Sequence, residues 1–497
     1  MKVLSSKQIR ELDAYTIKHR PIASIDLMES ACHAAFTWIT QHYYPDTKFG
    51  VVCGTGNNGG DGLGIARLLV DGGYSVEVSV VRGGTSESDD FKTNLQRLPA
   101  KVTVIEITDK VPDGLFANVE VVIDALFGSG LSRPATGIYG DVITYMNNLE
   151  AVRIAIDIPS GLMADNPSEG PIVNAMSTLT FQVPKLAFFF PQYHENVGNW
   201  VTLDIGLHKD FLKQLETPYY YLTRKNVRKI LRVRSRFDHK GKFGHALLVS
   251  GSYGKMGAAI LAARAALRGG LGLLTLHVPG VGYQIIQTAV PEVMVSIDPN
   301  AEIFSSCPTL EPYTVIGIGP GLGMAKDSIK ALRSLLEQTK VPTVIDADGL
   351  NILASNRELL QLVPVGSILT PHPKEFERLV GPWKNDFDRM EKQKRLAKDL
   401  KSVIVLKGAF TSIATPEGDV YFNSSGNPGM AKGGSGDVLT GILTSLLAQG
   451  YSAIHAAQLG VFLHGYAGDL AAYEKGMNSM IPSDLIESLP EAFKRTE

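Results

Sequence analysis

The sequence predicts an α/β protein of two domains, each with strands and helices in alternation, and three observations support this. The chain has 497 residues, which is too long for one typical hydrophobic core. Short apolar runs alternate with helical stretches in both halves, as in doubly wound parallel sheets. The alternation stops at Thr217–Thr223, where the sequence reads TPYYYLT. We therefore expect one domain at residues 1–216 and a second at residues 221–497.

The composition excludes several classes of protein. Lys and Arg number 48 against 50 Asp and Glu, so the near-neutral chain is not typical of nucleic-acid or membrane-surface proteins. The three scattered cysteines fit neither a disulfide framework nor a zinc knuckle. Gly257–Val278 is apolar, but Arg264 and Arg268 interrupt it, so we do not expect a membrane span. We expect a soluble, cytoplasmic protein without a signal peptide.

The first half begins with helical spacing over Ser6–Met28 and then alternates. Six apolar runs are predicted to be strands: Phe49–Cys53, Val76–Val81, Val102–Ile107, Val119–Ala125, Val152–Ile156 and Leu179–Val183. Three stretches between them are predicted to be helices: Gly60–Val70, Asp90–Leu98 and Tyr139–Asn148. In such sheets ligands bind beyond the carboxyl ends of the strands, which is where three polar motifs of this half lie.

The first motif, GTGNNGGDG at 54–62, follows one strand and opens a helix. It matches the dinucleotide fingerprint, but the next strand ends on Arg82 and not on the acid that would hold a ribose. Asn57 and Asn58 are alternatively turn residues that tolerate a positive φ. The second motif, DALFGSGL, begins at Asp124, and the third, DIPSGL, begins at Asp157. Each of these two acids either takes part in a binding site or only caps its loop. With Asp61 they would meet at one sheet edge, where oxygen-rich sites suit hard cations.

The second half repeats the alternation. Five strands and one hairpin are predicted: Ala246–Val249, Thr314–Ile318, Thr343–Asp346, Ser367–Thr370, Val403–Leu406 and Thr411–Phe422. Polar loops follow these strands, which predicts a single crevice. One of these loops carries His372 between two prolines, and this histidine is either structural or functional. Asp346 and Glu375 either bind magnesium through water or cap a helix and a loop.

The glycine-rich loop of Asn427–Gly450 runs directly into a helix. Its glycines let the backbone approach a ligand, and the unpaired N–H groups of a helix start bind anions. Lys432 adds a full positive charge beside this site. Asp437 is either an ordinary first-turn acid or a general base that deprotonates a hydroxyl attacking a phosphoryl group.

The first half resembles the N-terminal domain of the NAD(P)H-hydrate epimerase family. NNGGDG, DALFGSGL and DIPSGL occur in that order, and TIKHRPIASIDLMESA is similar to the family's opening helix. The resemblance implies a Rossmann-like three-layer fold, potassium at Asn58, Asp124 and Ser160, and Asp157 as the acid/base group. It also implies hydrated-nucleotide binding by Asn57, Asn58, Gly59, Gly60, Asp61, Gly128, Ser129, Gly130, Leu131, Ser132, Arg133, Pro134 and Asp157.

The second half resembles the NAD(P)H-hydrate dehydratase branch of the ribokinase-like superfamily. The matching segments are KGKFGHALLVSGSYGKMGAA, GIGPGLG, VIDADGLN, LTPHPKEF, VLKG and NPGMAKGGSGD, with Lys374 where many relatives have glycine. The resemblance implies that hydrated nucleotide binds Gly257, Ala258, Gly321, His372, Pro373, Lys374, Glu375 and Asp437. It implies that ADP or ATP, with Mg²⁺, binds Lys407, Gly408, Ala409, Phe410, Thr411, Asn427, Pro428, Gly429, Met430, Ala431, Lys432, Gly433, Gly434, Ser435 and Gly436.

Together the resemblances imply a repair enzyme for hydrated NADH and NADPH (NADHX and NADPHX), with Asp437 as the base. Phosphorylating the ring hydroxyl makes it a good leaving group, and ADP or ATP then yields AMP or ADP and phosphate. A homo-oligomer, a tetramer or larger, is expected. Three alternatives stay open: a small-molecule kinase with a regulatory domain, an oxidoreductase using Gly54–Gly59, and a non-catalytic nucleotide-binding module in the first half.

Overall fold

A computed structural model describes residues 1–84 and 86–497 of the chain. It divides into two compact units: an N-terminal unit of residues 2–217, and a C-terminal unit of residues 218–497 together with Met1. The domain limits expected from the sequence, 1–216 and 221–497, stay a prediction. Within the described residues, no helix combines the length and the apolarity needed to cross a bilayer.

The N-terminal unit contains one parallel sheet flanked by helices. Its strands are β1 Lys48–Cys53, β2 Ser75–Val81, β3 Val104–Ile107, β4 Val121–Ala125, β5 Val152–Ile156, β6 Ser177–Phe181 and β7 Asn199–Leu203. Its α-helices are α1 Ser6–His19, α2 Ser24–His42, α3 Asn57–Asp71, α4 Asp89–Arg97, α5 Ile138–Asn148, α6 His194–Val197 and α7 Lys209–Gln214. The described strands pair in the order β3-β2-β1-β4-β5-β6-β7, and every pair is parallel.

The strand order places a binding crevice beside β1. From β1 the chain first winds outward through β2 and β3, and it then returns to β4 on the other side. The loops after β1 and β4 therefore diverge, which opens a crevice at the carboxyl ends of these two strands. Apolar clusters pack on both faces of the sheet, so β1 is buried on both sides and reads as a continuous apolar run.

The C-terminal unit has a larger, mostly parallel sheet. Its strands are β8 Tyr219–Leu222, β9 His245–Val249, β10 Leu273–Val278, β11 Met294–Ile297, β12 Val315–Ile318, β13 Thr343–Ile345, β14 Ile368–Leu369, β15 Val403–Leu406, β16 Ser412–Ala414 and β17 Val420–Asn423. Its α-helices are α8 Arg224–Arg228, α9 Met256–Arg268, α10 Gly282–Ala289, α11 Lys326–Gln338, α12 Ala347–Ser355, α13 Pro373–Val380, α14 Asp386–Leu400, α15 Ser435–Ala448, α16 Ala453–Lys475 and α17 Pro482–Thr496. In the described chain the sheet order is β11-β10-β9-β12-β13-β14-β15-β16-β17-β8, and β16 is antiparallel to both its neighbours.

Helix α15 lies in the core of the C-terminal unit. It packs on α9, where a Cβ at Gly441 would lie 2.1 Å from the carbonyl oxygen of Ala262, so only glycine allows this approach. Gly434 caps the helix start in the left-handed conformation, with a φ of 98°. The helix also contacts β9, β12 and β13. Its first turn therefore lies near the residues that follow these strands.

Most of the predicted elements are confirmed, and the predicted strands and the hairpin end within two residues of the observed ones. The helical spacing predicted over Ser6–Met28 corresponds to two helices, α1 and the start of α2, with a break at residues 20–23. Pro21 lies in this break and has no N–H to continue the first helix. Strands β7, β8, β10 and β11 were not predicted. Strand β10 shares one long apolar stretch with α9, which conceals its boundary.

Candidate functional site

The N-terminal unit contains a cleft of about 660 Å³ at the carboxyl ends of β1 and β4. The loops predicted from the sequence supply much of its wall: Asn57, Asn58, Asp61, the run Gly128–Pro134 and Asp157. Helix α1 adds Ile9, Arg10 and Asp13, which the sequence analysis missed. Gly59 and Gly60 are buried in the turn behind the wall. A Cβ at Gly59 would lie 1.7 Å from the carbonyl oxygen of Gly54, so this glycine shapes the turn.

Asp157 is held rigidly at the edge of this cleft. Its backbone is left-handed, with a φ of 68°, which is uncommon outside glycine and is typical of functional sites. One carboxylate oxygen accepts a hydrogen bond from the Ser129 N–H at 3.0 Å, and the other binds the Lys185 ammonium. Burial alone would raise the pKa of Asp157, but the Lys185 charge and the Ser129 hydrogen bond outweigh burial and lower it.

Lys185 is the principal residue that the sequence analysis missed in this unit. Its side chain is fully buried, and its ammonium also donates to the Thr180 hydroxyl at 2.7 Å. A buried lysine requires a charged partner, because an isolated ammonium is costly to remove from water. One signal was available: Lys185 stands alone in the apolar run 183–190, directly after a strand.

The cleft gathers further charged groups. Burial, together with the neighbouring Asp157, raises the pKa of Asp13 to about 6. Burial also raises the pKa of Asp61 well above its usual value, and Asp157, Asp13 and Asp90 add to this effect. Arg10 and Arg133 supply positive charge in the same wall. The cleft can therefore hold a phosphate-bearing ligand and offer it carboxyl groups in different protonation states.

Asp124 and Ser160, two of the predicted potassium ligands, lie in contact in the interior. Asp124 accepts hydrogen bonds from the Ser160 N–H (2.8 Å), the Ser160 hydroxyl (2.6 Å) and the Leu126 N–H (3.2 Å). It is fully buried and has no ion-pair partner among the described residues, and burial raises its pKa to about 6. These contacts support a loop-capping role for Asp124, and its negative charge has no counter-charge within the part of the chain that the structure describes.

Asn58, the third predicted potassium ligand, is 7% exposed, and neither its amide oxygen nor its amide nitrogen has a hydrogen-bond partner in the described structure. Such groups are rare in folded proteins and commonly indicate a missing ion or water. Asn58 and Asp157 both lie next to Gly128: a Cβ at Gly128 would be 3.3 Å from the Asn58 Cβ and 3.4 Å from Asp157 Oδ2. Asn58 therefore reaches the cleft beside Asp157.

In the C-terminal unit, polar side chains converge on the start of α15. Lys407 Nζ lies 2.7 Å from Asp346 Oδ1, and the Thr440 hydroxyl donates to Asp346 Oδ2 at 2.7 Å. A Cβ at Gly436 would lie 3.4 Å from Lys407 Nζ, so the ammonium stands directly beside the glycine-rich loop. The structure thus brings together residues that follow β13 and β15 with the first turn of α15.

Asp437 does not act as a helix cap. Its carboxyl group makes no hydrogen bond and no ion pair to any residue that the structure describes, although it lies in the first turn of α15. Burial, reinforced by the negative charge of Asp346, raises its pKa to about 6 despite the opposing charge of Lys407. A carboxyl group with this pKa is largely ionised at neutral pH and is well matched to accept a proton.

His372 acts as a helix cap, whatever further role it has. It is the N-cap of α13, and its Nδ1 accepts hydrogen bonds from the N–H groups of Lys374 (3.1 Å) and Glu375 (3.3 Å). Glu375 completes the capping box by accepting from the His372 N–H at 2.9 Å. Glu375 Oε2 also lies 4.0 Å from Lys407 Nζ, which connects this loop to the cluster around Asp346.

Gly321 and the start of α9 lie against each other in the C-terminal unit. Gly321 has a φ of 64°, and a Cβ there would lie 2.9 Å from the carbonyl oxygen of Lys255 and 3.2 Å from the Ala258 Cβ. Ala258 therefore faces the loop after β12. Lys255 Nζ lies 3.4 Å from Asp348 in the first turn of α12.

The placement of Lys432 corrects one expectation. Its ammonium donates to the carbonyl oxygens of Asn478 (2.8 Å) and Met480 (2.5 Å), so it is not a free charge beside the helix start. Lys407 occupies that position. Asn427 is also engaged within the protein, because its amide donates to Asp469 at 3.0 Å and accepts from the Gly429 N–H at 3.0 Å.

His464 on α16 is a further residue that the sequence analysis missed. Its Nε2 lies 2.9 Å from the carbonyl oxygen of Ser435, the first residue of α15. Burial lowers the pKa of His464 to about 4, so the ring is neutral and Nε2–H donates to this carbonyl. The histidine thereby fixes the position of the glycine-rich turn.

Comparison with family models divides the chain in the same way as its two units. Residues 24–187 match a family described as YjeF-related protein N-terminus. Residues 246–491 match a family described as NAD(P)H-hydrate dehydratase. The two matches lie in different units, so one chain combines two families.

Known proteins extend this comparison. The chain is 36% identical to a bifunctional NAD(P)H-hydrate repair enzyme of Moorella thermoacetica, over 100% of this chain and 97% of that protein. An ADP/ATP-dependent NAD(P)H-hydrate dehydratase from Bacillus subtilis, co-crystallised with ATP/Mg²⁺, is 33% identical with a TM-score of 0.50, covering 56% of this chain and 99% of that one. A ribokinase-like superfamily protein from Enterococcus faecalis is 27% identical with a TM-score of 0.51, covering 57% and 98%.

Proposed function

This chain belongs to the bifunctional NAD(P)H-hydrate repair enzymes, and we propose how its two units divide the reaction. The N-terminal unit interconverts the two epimers of NADHX and NADPHX. The C-terminal unit dehydrates one epimer to NADH or NADPH in a reaction driven by ADP or ATP. The observation that carries this proposal is the Asp437 carboxyl group at the start of α15, which has no partner among the described residues and lies beside the pair of Lys407 and Asp346.

The dehydratase mechanism follows from the chemistry of the leaving group. Hydroxide leaves poorly, whereas phosphate leaves easily, so phosphorylating the ring hydroxyl enables the double bond to form again. Asp437 removes the hydroxyl proton as the oxygen attacks the phosphoryl group. The N–H groups of Gly433, Gly434 and Gly436 stabilise the charge that develops on this group. Loss of phosphate and of a ring proton then returns the reduced nicotinamide.

The remaining predicted residues would bind the two substrates of this reaction. We propose that hydrated nucleotide lies along Gly257, Ala258, Gly321 and the loop His372–Glu375. ADP or ATP would lie along Lys407–Thr411 and Asn427–Gly436. Lys432 holds the loop after α16 in this arrangement, because its ammonium already binds two carbonyl groups.

Magnesium fits the carboxyl groups at this site. Mg²⁺ in phosphoryl-transfer sites is bound mainly by substrate phosphates, with one or two carboxylates from the protein. Asp346 and Glu375 would supply such a pair, since Lys407 Nζ lies 2.7 Å from Asp346 and 4.0 Å from Glu375, which places the two carboxyl groups near one another. When bound, the ion would neutralise charge on the transferring phosphoryl group.

Potassium fits the N-terminal unit for a similar reason. Within the described residues, Asp124 offers one negative charge without a counter-charge, and Asn58 offers an amide oxygen without a partner. With the Ser160 oxygen they would form an oxygen donor set whose single charge suits a monovalent cation. The ion would hold the loops after β1, β4 and β5 together beside Asp157, which we propose as a catalytic group at the epimerising carbon. Hydrated nucleotide would lie along Asn57–Asp61 and Gly128–Pro134.

The decisive experiment incubates the full chain with ADP and a mixture of both NADHX epimers, and follows the absorbance of NADH. We expect both epimers to be converted completely, because the N-terminal unit supplies the reactive one. The matched control is Asp157→Asn, which should convert only the reactive epimer at the enzymatic rate. Accumulation of a stable phosphorylated product without NADH would instead support the alternative of a small-molecule kinase.

A further inference from the structure

We propose that Asp61 is the proton donor of the epimerisation, and that Asp157 stays ionised as the counter-charge to a cationic ring. This inference rests on the proposed function of the N-terminal unit. The sequence placed Asp61 among the acids of one oxygen-rich sheet edge, and the family resemblance placed it among nucleotide-binding residues, so neither gave it a role in proton transfer. Its surroundings in the cleft differ from those of Asp157 in ways that divide the chemistry between the two carboxyl groups.

The chemistry requires an acid and an anion. A reduced nicotinamide ring is an enamine, so hydration places the new hydroxyl on the carbon attached to the ring nitrogen. Protonating this hydroxyl lets the nitrogen lone pair expel it as water, which breaks the C–O bond and leaves a planar C=N⁺ cation. Water then adds to the opposite face and returns a proton to the donor. One C–O bond breaks and one forms, and nothing is oxidised or reduced.

Asp61 has the geometry of the donor. It follows the glycine-rich turn on α3 and lines the cleft together with Asn57, Asn58 and Asp157. Its carboxyl group has neither a hydrogen bond nor an ion pair within the described residues, so both of its oxygens are available to a ligand. Asp157 has the opposite arrangement, since Ser129 and Lys185 bind its two oxygens and hold it as an anion.

The electrostatics support the same division. Burial and the neighbouring Asp157 raise the pKa of Asp61 well above its usual value, whereas the Lys185 ammonium keeps the pKa of Asp157 low. Two carboxyl groups with pKa values separated by their surroundings commonly serve as acid and anion in one site. The titratable groups that face Asp61 come from five elements: Asp13 on α1, Cys32 on α2, Cys53 on β1, Asp90 on α4 and Asp157 after β5.

The test measures epimerisation in the full chain, with the spontaneous rate subtracted, by separating the two epimers chromatographically. We expect Asp61→Asn to lower kcat by about 10²-fold or more with a small change in KM. Asp61→Glu should retain part of the kcat that Asp61→Asn loses, because it keeps a carboxyl group. Asp90→Asn is the matched control, because it removes another carboxyl group near Asp61 that does not line the cleft. It should keep near-wild-type epimerisation.

The pH profile separates a proton donor from a structural group. Wild-type kcat should fall as the pH rises through the pKa of Asp61, because the protonated form is the reactive one. This decrease of kcat at high pH should be absent from Asp61→Asn, and it should occur at a different pH in Asp61→Glu. If Asp61→Asn does not fold, the shift in Asp61→Glu still tests whether Asp61 is the proton donor. Turnover of Asp61→Asn within about threefold of wild type, or a decrease at the wild-type pH in Asp61→Glu, would overturn the assignment. Wild-type protein that does not exceed the spontaneous rate would instead refute the proposed function of the unit.

Discussion

Lys185 and Asp157 form an ion pair in which the lysine side chain has no exposure to solvent. The Lys185 ammonium donates to the carboxylate of Asp157 and to the Thr180 hydroxyl, so its charge is fully paired within the unit. The pair lies at the edge of the cleft, and it sets the protonation state of the carboxyl group that faces the proposed substrate. Structural and catalytic consequences of changing it should therefore appear together.

We predict that Lys185→Met destabilises the protein and abolishes epimerisation. Removing one partner of a buried ion pair typically costs about 3–5 kcal/mol, because the other charge is left uncompensated. Denaturant unfolding and the epimerisation assay measure the two effects. The double variant Lys185→Met with Asp157→Asn should regain stability without regaining activity, since neither member of the pair then carries a charge. A single variant with wild-type stability and activity would show that the pair is dispensable.

We predict that Asp437→Asn abolishes dehydration while nucleotide binding is largely kept. Loss of a general base typically slows turnover by about 10²–10⁴-fold, and the amide is nearly the same size as the carboxyl group. Turnover is measured by NADH formation and ADP binding by calorimetry. The matched control is Lys432→Met, which removes a charge from the same loop but should affect binding more than the chemical step. Turnover above about a tenth of wild type in Asp437→Asn would exclude the base role.

We predict that kcat/KM for dehydration falls as the pH decreases through about 6. Burial raises the pKa of Asp437 to about 6, and a base acts only in its ionised form. Activity is therefore full above this pKa and is lost below it, by about tenfold for each further pH unit. Initial rates across this range, with saturating ADP, provide the measurement. A profile that is flat through pH 6 in wild type would contradict the assignment.

We predict that Asp124→Ala weakens hydrated-nucleotide binding and slows epimerisation, while ADP-dependent dehydration of the reactive epimer survives. The variant removes the buried charge that we propose balances potassium. Epimerisation is measured across a potassium titration at fixed ionic strength, in wild type and variant. A variant that loses thermal stability but keeps the wild-type potassium response would leave Asp124 as a loop cap only.

We predict that residues 1–216, expressed alone, fold and interconvert the epimers. This segment contains nearly all of the compact N-terminal unit, including the whole seven-stranded sheet of the described chain and every residue that lines its cleft. Circular dichroism and the epimerisation assay check the two properties. An insoluble or inactive fragment, beside an active full-length protein, would indicate that the boundary is misplaced.

The sequence by itself determined the fold class and the loops that form the sites. Parallel strands buried on both faces appear as apolar runs, and ligands bind after such strands, so motifs such as 54–62 and 427–437 were recognisable locally. The same signal failed where one apolar stretch contained both α9 and β10, because hydrophobicity alone does not distinguish a buried helix from a buried strand.

Only the tertiary structure decided which charges meet. Lys185 lies 28 positions from Asp157, and Lys407 lies 61 from Asp346, yet each pair is in contact. Lys432 is adjacent in sequence to the glycines that precede α15, but its ammonium binds the carbonyl groups of Asn478 and Met480. The positive charge beside the start of α15 comes instead from Lys407. The physical reason is that charge interactions depend on distance and burial, both of which arise when the sheet brings the ends of separate strands together.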